Sequence, residues 1–331
     1  MSNEKDGKYE RDTLVADGDH TFRLASPRLD VLSQVLMLIR LRGEIVYRGE
    51  LSHACGVVFP TGPAHFYFVQ HGEMTIIPAS LEPVELKRGD LVLLPRGDGH
   101  TILGGASSHG ADIGPLGPEH FDAHKLFLRC GNDPTHAARF ISGSFFFDGN
   151  PLASVLSVLP ALIHIPGDDS GAPEWIEAIT HFLLEEAHNA RPGSSLMISR
   201  LIDLLVIRAL RTWAGARTSN LGWLGGLNEE RIARALGAMH DEPQRDWTLG
   251  ALANVAAMSR SLFAKRFMAT VGESPLRYLT RWRLTLAADL LKTGRLKVTE
   301  VAQRSGYNSD AAFSRAFKAQ FGCPPSDATR L

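Results

Sequence analysis

The C-terminal quarter of the chain carries one pattern twice, and two stretches this alike are expected to fold alike. The first copy runs from Leu252 through Phe267 and on to Gly272 and Pro275; the second runs from Val301 through Lys318 to Gly322 and Pro325. Ala253 and Ala302 lie 49 residues apart, whereas Phe267 and Phe317, Gly272 and Gly322, and Pro275 and Pro325 lie 50 apart. One extra residue in the turn of the second copy accounts for the difference. Two repeats are too few for a solenoid, so the helical-array reading gives way to a pair of helix-turn-helix units.

Each copy has the parts such a unit needs. A short helix carries a small residue, Ala253 or Ala302, where a second helix must cross closely. In the second copy Gly306 supplies a turn position that tolerates positive φ. Ser259, and Asn308 or Ser309, suit the N-cap of the following helix. Phe263 and Phe267, like Phe313 and Phe317, stand at i and i+4 and face a core. The intervening positions project outward: Arg260, Ser261, Ala264 and Lys265 in one copy, Asp310, Ala311, Ser314 and Arg315 in the other. Short and basic side chains of this kind suit a helix lying in a major groove. The spacing predicts a long helix from Pro275 to Lys292, holding two such helices at a fixed separation.

Charge agrees with that reading. The whole chain of 331 residues has a net charge of −1, but from Arg245 onward 14 Lys and Arg face 6 Asp and Glu, while the remainder holds 21 against 30. A basic end on an acidic body fits an end that meets a polyanion. The body itself reads in two parts. From about Asp30 to Asp148, Gly and Pro punctuate short apolar runs (Glu44–Tyr47, His65–Val69, Met74–Ile77, Asp90–Leu94, Lys125–Arg129), which predicts an antiparallel barrel or sandwich. Gly104 to His120 reads as a loop. Pro151–Leu162 is a short helix candidate. Glu174–Asn189 and Ser195–Trp213 form an amphipathic pair around Pro192-Gly193, with Trp175, Ile176, Ile179, Phe182 and Leu183 on one face of the first and Leu201, Leu204, Leu205 and Arg208 following the same period in the second.

The C-terminal part resembles the DNA-binding domain of the AraC/XylS family. Its most specific tokens are Leu252-Ala253, Met258-Ser259-Arg260, Phe267, Gly272, Ser274-Pro275, Arg283, Gly306-Tyr307 and Phe313 through Lys318. The resemblance implies that Ser261, Ala264 and Lys265 read bases in one groove and Asp310, Ala311 and Arg315 in the next. Arg260, Arg315 and Lys318 are expected on phosphates, and Ser259, Asn308 and Ser309 at the helix entries. Asp310 either accepts from a cytosine amine or caps its helix. Several members carry larger side chains at these positions, so the operator sequence does not carry over.

Gly89 through His100 fits the second cupin motif, in which Pro95 and Gly97 build a turn that presents His100 to a small barrel. The first motif is incomplete: His65 is present, Tyr67 stands at the second His position, Glu73 is displaced behind His71-Gly72, and the usual Asn after His100 is missing. His65, Tyr67, His71, Arg96 and His100 are the candidate ligand residues, and His65, His71, His100 and His53 could together hold a divalent metal. This half is similar to the cupin-type sensor found upstream of the double helix-turn-helix in one branch of the family, through Leu41-Arg42-Gly43, Pro95-Arg96-Gly97-Asp98 and Cys130-Gly131.

The expected fold is therefore α+β in two domains: a cupin-like barrel (28–150) with a helical hairpin for dimerisation (151–216), a linker (217–227), and an all-α double helix-turn-helix domain (228–331). The expected function is a sequence-specific transcription regulator, an activator by family habit, answering a small-molecule or redox signal. Its partners would be promoter DNA, RNA polymerase by family resemblance, an effector and a second copy of itself. The rival is a cupin enzyme with a helical tail, which needs a complete metal set and a base. The three cysteines are odd in number and widely spaced, giving neither zinc spacing nor a disulfide framework. A reducing, cytoplasmic setting is expected, because the N-terminus lacks an apolar signal segment and no apolar run is long enough to span a membrane. Cys55 and Cys130 are redox candidates only as exposed, low-pKa thiols; buried inert cysteines are the alternative.

Overall fold

The computed structural model describes residues 31–39, 41–105, 111–132, 136–147, 159–167, 173–189, 191–215, 225–226 and 229–330. Most of the Pro151–Leu162 helix candidate and most of the 217–227 linker lie outside these residues.

Among the described residues eleven strands follow a helix, α1 (Val31–Ile39): β1 (Leu41–Leu51), β2 (Cys55–Phe59), β3 (Ala64–Pro78), β4 (Val84–Lys87), β5 (Leu91–Leu94), β6 (His100–Gly104), β7 (Asp112–Pro115), β8 (Phe121–Asp122), β9 (Phe127–Cys130), β10 (Ala138–Phe147) and β11 (Ile163–Ile165). The sheet order is β7-β2-β6-β3-β10-β1-β9-β8, with β4 and β5 also on β3, and β11 on β5. β3 joins the two halves. Its first part pairs with β10 and β5, and its second part, from Met74 on, pairs with β6 and β4. The sheet therefore rolls over on itself. The predicted loop from Gly104 to His120 contains β7, whose Asp112–Pro115 pairs in parallel with β2; local composition does not reveal so short a partner strand.

Alternation along the strands sorts side chains to two cores. Tyr47, Tyr67, Val69, Val92, Leu94 and Phe140 point into the roll, with Met74, Ile76 and Ile102 from its other wall. Val46, Phe66, Phe68, Leu91, Leu93 and Ile141 point outward, into a core shared with the helices. That outer face is covered by the hairpin α2 (Glu174–His188) and α3 (Ser194–Gly215). Gly43 is what lets α3 approach β1: a Cβ there would lie 2.5 Å from Ile202 Cδ1, and the Gly43 amide donates to Ser199 Oγ at 3.3 Å. The buried stripe of the hairpin (Ile176, Ile179, Leu183, Ile202, Leu205, Val206) thus belongs to its own barrel. Phe182 and Leu204, placed on the apolar faces by periodicity, are instead 56% and 45% exposed.

The C-terminal helices are α4 (Glu230–Asp241), α5 (Leu249–Val255), α6 (Arg260–Val271), α7 (Pro275–Lys292), α8 (Val298–Arg304) and α9 (Asp310–Phe321), with a closing 3-10 turn at Pro325–Arg330. α5–α6 and α8–α9 are the two helix-turn-helix units, and α7 joins them. Ser259 Oγ accepts from Leu262 N and Ser309 Oγ from Ala312 N, both at 3.4 Å, so each serine caps its recognition helix. Ser309 is therefore the cap, and Asp310 is the first residue of α9 rather than its cap. Gly272 and Gly322, both left-handed, close the two helices.

The turns differ in an instructive way. Gly306 sits at φ 74°, and Ala257, its counterpart 49 residues earlier, sits at φ 51°. The extra residue of the second copy falls between Gly306 and Ser309. A left-handed alanine costs about 1–2 kcal/mol relative to a relaxed one. Ala257→Gly is expected to raise stability by about 0.5–1 kcal/mol, the loss of unfolded-chain restraint offsetting part of the strain. Gly306→Ala is expected to lower it, because the new Cβ meets Arg283 Cζ and Gln244 O at 3.1 Å. Urea titration of both variants checks the opposite signs.

Candidate nucleic-acid interface and sensor barrel

The core-facing residues of α6 and α9 fix which side of each helix meets solvent. Phe263, Phe267, Phe313 and Phe317 are fully buried, and the rings meet pairwise, edge to face at 5.5 Å and tilted at 5.6 Å between centroids. Their burial turns Arg260, Ser261 and Lys265 of α6 outward, with Ala264 half-buried. Asn308, Ser309, Asp310, Ala311, Arg315 and Lys318 are exposed at the second unit. Every large side chain among the predicted contacts is thus available to solvent.

Two arginines of α7 that share the basic surplus have other work. Arg283 donates from Nε to Pro243 O at 2.6 Å and from Nη2 to Arg245 O at 2.8 Å, pinning the turn before α5. Arg281 pairs with Glu273. Beside them His240 stacks on Trp282 with centroids 3.7 Å apart and pairs with Tyr278 Oη at 2.7 Å. Burial, then the nearby Arg281 charge, pushes His240 down to about 3. Sequence reasoning passed over His240, though its place on an apolar helix face was visible.

In the barrel, the structure brings together three of the candidate ligand residues. His65 and Tyr67 on β3 and His100 at the start of β6 are all buried. Tyr67 Oη and His100 Nε2 lie 2.6 Å apart, and the His65 and His100 rings meet edge to face at 5.0 Å. Phe59 stacks on His100 at 4.9 Å. Burial pushes His65 down to about 4 and, with the His65 charge, His100 down to about 3, so both rings are neutral near pH 7. Tyr47 Oη, Ser142 Oγ and His65 Nδ1 are buried without a hydrogen-bond partner, although Tyr47 lies beside Ser142 and Tyr67. These atoms give the barrel a polar patch that a bound group could satisfy.

The other candidates lie elsewhere. His71 is exposed in the middle of β3, His53 is exposed in the β1–β2 turn, and Glu73 faces Lys87 across β3 and β4. Arg96 donates to Leu159 O at 2.9 Å. Among the described residues no group of three or more His, Cys, Asp or Glu gathers, and His100 Nε2 is already engaged by Tyr67. The donor set that the sequence leaves open for a divalent metal does not fit one in this arrangement.

A cupin family model matches residues 30–215, and a helix-turn-helix domain model matches residues 252–330. An AraC-like transcription regulator of Streptomyces lividans is 36% identical over 308 residues, covering 90% of this chain and 97% of its own. The chain belongs to the AraC family of transcription regulators. The transcriptional regulator AlkR of Acinetobacter baylyi is 34% identical, covering 72% of this chain and 78% of its own. The RCS-specific transcriptional activator RclR of Escherichia coli is 26% identical, covering 90% and 96%.

One feature of this AraC-type chain corrects the sequence reading of its cysteines. Cys55 and Cys130 are joined in a disulfide, with Cα atoms 5.8 Å apart. The pairing spans 75 residues and depends on topology: β9 lies parallel to β1, placing Cys130 opposite Leu51, and the tight turn through Ala54 brings Cys55 back beside it. Cys130 is buried, not an exposed thiol, and Cys323 is the free cysteine. Glu50 anchors the same strand end, accepting from Arg129 at 2.9 Å and Arg139 at 3.3 Å, with His136 at 3.1 Å. No described helix is long and apolar enough to cross a membrane.

Proposed function

We propose that this chain is a cytoplasmic activator that binds promoters sequence-specifically as a homodimer and answers a small-molecule or redox signal in its cupin domain. The observation that carries the reading is the pair of matched helices, α6 and α9, each capped by serine and each presenting basic side chains on the side its phenylalanines leave free. Lys265 and Arg315 would approach the duplex in neighbouring grooves, with Arg260 and Lys318 on phosphates. Ser261, Ala264, Asp310 and Ala311 are small enough to let the helices sit deep. RNA polymerase is the partner that activation requires, and the similarity to the activator RclR supports that direction.

The barrel supports the signal. Its buried, partnerless Tyr47, Ser142 and His65 atoms suit a small polar molecule, and the Cys55–Cys130 pair offers a second, redox input. For the dimer, Phe182, Leu196, Met197 and Leu204 of the hairpin are exposed apolar side chains left over after α2 and α3 cover the barrel. Sedimentation at micromolar concentration should show a dimer; a strict monomer would remove that part.

Lys265→Ala is expected to weaken binding to a cognate promoter fragment about tenfold. Lys292→Ala, at the end of α7, should change it little. A gel-shift titration in which the two variants lose affinity equally would contradict the assignment of faces.

A further inference from the structure

The seam between the outer face of the barrel and helix α2 holds an open cavity of about 430 Å³. Its floor is a row across three adjacent strands: Arg48 on β1 faces Ile141 on β10, which faces Phe68 on β3. Its roof is one stripe of α2, Glu177, Thr180, His181 and Leu184, spaced i, i+3, i+4 and i+7. His71, in the middle of β3, and Arg88, beside Gly89 in the turn before β5, complete the rim.

This is an odd composition for a helix-on-sheet seam. Elsewhere along the same outer face the facing positions are apolar: Ile176, Ile179 and Leu183 from α2, Phe66, Leu91 and Leu93 from the sheet. Here Phe68, Ile141 and Leu184 continue that core beneath the cavity, and two arginines, two histidines and one glutamate, all exposed, ring its opening. Among the described residues, neither the Arg48 nor the Arg88 guanidinium forms an ion pair or a side-chain hydrogen bond, and Glu177 forms none either. Thr180 Oγ1 is turned back to Ile176 O at 2.7 Å, so it does not compete for the cavity. Two guanidinium groups against one carboxylate leave the cavity cationic, over an apolar floor of Phe68, Ile141 and Leu184.

We propose that this seam is a binding site for a small amphipathic organic carboxylate, held by Arg48 and Arg88 at its rim with its apolar body on Phe68, Ile141 and Leu184. A planar guanidinium fork matches a carboxylate. The middle of α2 lines the cavity, where backbone N–H groups are spent within the helix, so the cluster of free amides that favours phosphate is not provided. The volume suits a small ligand, within the roughly 300–1,000 Å³ usual for such sites. The site lies on the opposite face of the sheet from His65, Tyr67 and His100, and is separate from the barrel interior. One wall is barrel and the other is the hairpin that carries Phe182, so occupancy would bear on the proposed dimer face; that consequence, though not the binding itself, rests on the regulatory reading above.

The test is titration calorimetry and thermal shift on the full chain without DNA, with straight-chain carboxylates from butanoate to decanoate as probes and the matching alcohols as neutral controls. Members of the carboxylate series should bind and raise Tm, while the alcohols do not. Arg48→Gln and Arg88→Gln should each weaken binding about tenfold or more, and Tyr67→Phe, inside the barrel, should leave it unchanged. Absence of binding throughout the series, equal binding by the alcohols, or unaltered affinity in both arginine variants would overturn the proposal. Loss of binding in Tyr67→Phe alone would place the ligand in the barrel and overturn it too. Because no DNA is present, these outcomes are independent of whether the chain recognises a promoter.

Discussion

Phe317→Ala is expected to cost the second helix-turn-helix unit about 3–5 kcal/mol and to abolish specific DNA binding. The core beneath α9 is small: Leu284, Ala287, Ala288 and Leu291 from α7, Val301 and Ala302 from α8, Phe313 and Phe317 from α9, and Ala328. Four of these nine side chains are alanines, so little other apolar volume can close over the hole. Phe317 also holds two neighbouring rings, Phe313 at 5.6 Å and Phe321 at 4.7 Å. A native unit of this size has a stability of only about 5 kcal/mol or so, so the loss takes most of it. The first unit shares its core with α1, the hairpin and the barrel face, and should stay folded. Hydrogen exchange would show α8 and α9 unprotected while α5 and α6 keep their protection. Binding with wild-type affinity, or uniform unfolding of both units, would contradict the account.

Acid is expected to destabilise the protein well before its carboxylates titrate. His65, pushed down to about 4, and His100 and His240, each pushed down to about 3, are buried and neutral in the fold. In the unfolded chain the same rings titrate near 6.5, so between 6.5 and the folded values the unfolded state binds more protons. Their contribution is therefore complete above pH 6.5 and is lost as the pH falls through 6.5 toward 4 and 3. At pH 5 each ring costs about 2 kcal/mol, and the three together about 6 kcal/mol. Urea unfolding at pH 7.5 and pH 5 measures this directly. Equal midpoints would show that the rings are protonated in the fold or open to water. Asp90 adds to the trend further down: burial opposes its ionisation, but hydrogen bonds from His164, Gly167 and Lys87 hold its carboxyl below the usual value.

How much of this was legible in the residues depended on the range of the interaction. The two units announced themselves because their landmarks are local: the spacing of Phe263 and Phe267, the glycine after each recognition helix, the serine before it. Helix α1 was not seen, since Val31–Ile39 is an almost continuous apolar run, and periodicity does not distinguish a buried strand from a buried helix of that length. Its Gln34 donates to Asp241 at 2.9 Å, a contact 207 residues apart that no window of sequence contains. The cysteine pair failed for the same reason, because it needs β9 to lie parallel to β1. In the barrel, His65 and His100 were readable from the cupin spacing, whereas the partnerless Tyr47 and Ser142 come from β1 and β10, which meet only in the sheet. The α2 seam was invisible, since it takes alternate residues from three strands and every third or fourth from a helix.

The claim on which the functional reading turns is that α6 and α9 enter successive major grooves on one face of a duplex. Methylation-protection footprinting of the wild-type protein and of the Lys265→Ala and Arg315→Ala variants on a bound promoter fragment tests it directly. The account predicts two protected major-groove patches about 10–10.5 base pairs apart on the same face, with Lys265→Ala erasing one and Arg315→Ala the other. A single patch, or one signal lost equally in both variants, would contradict it.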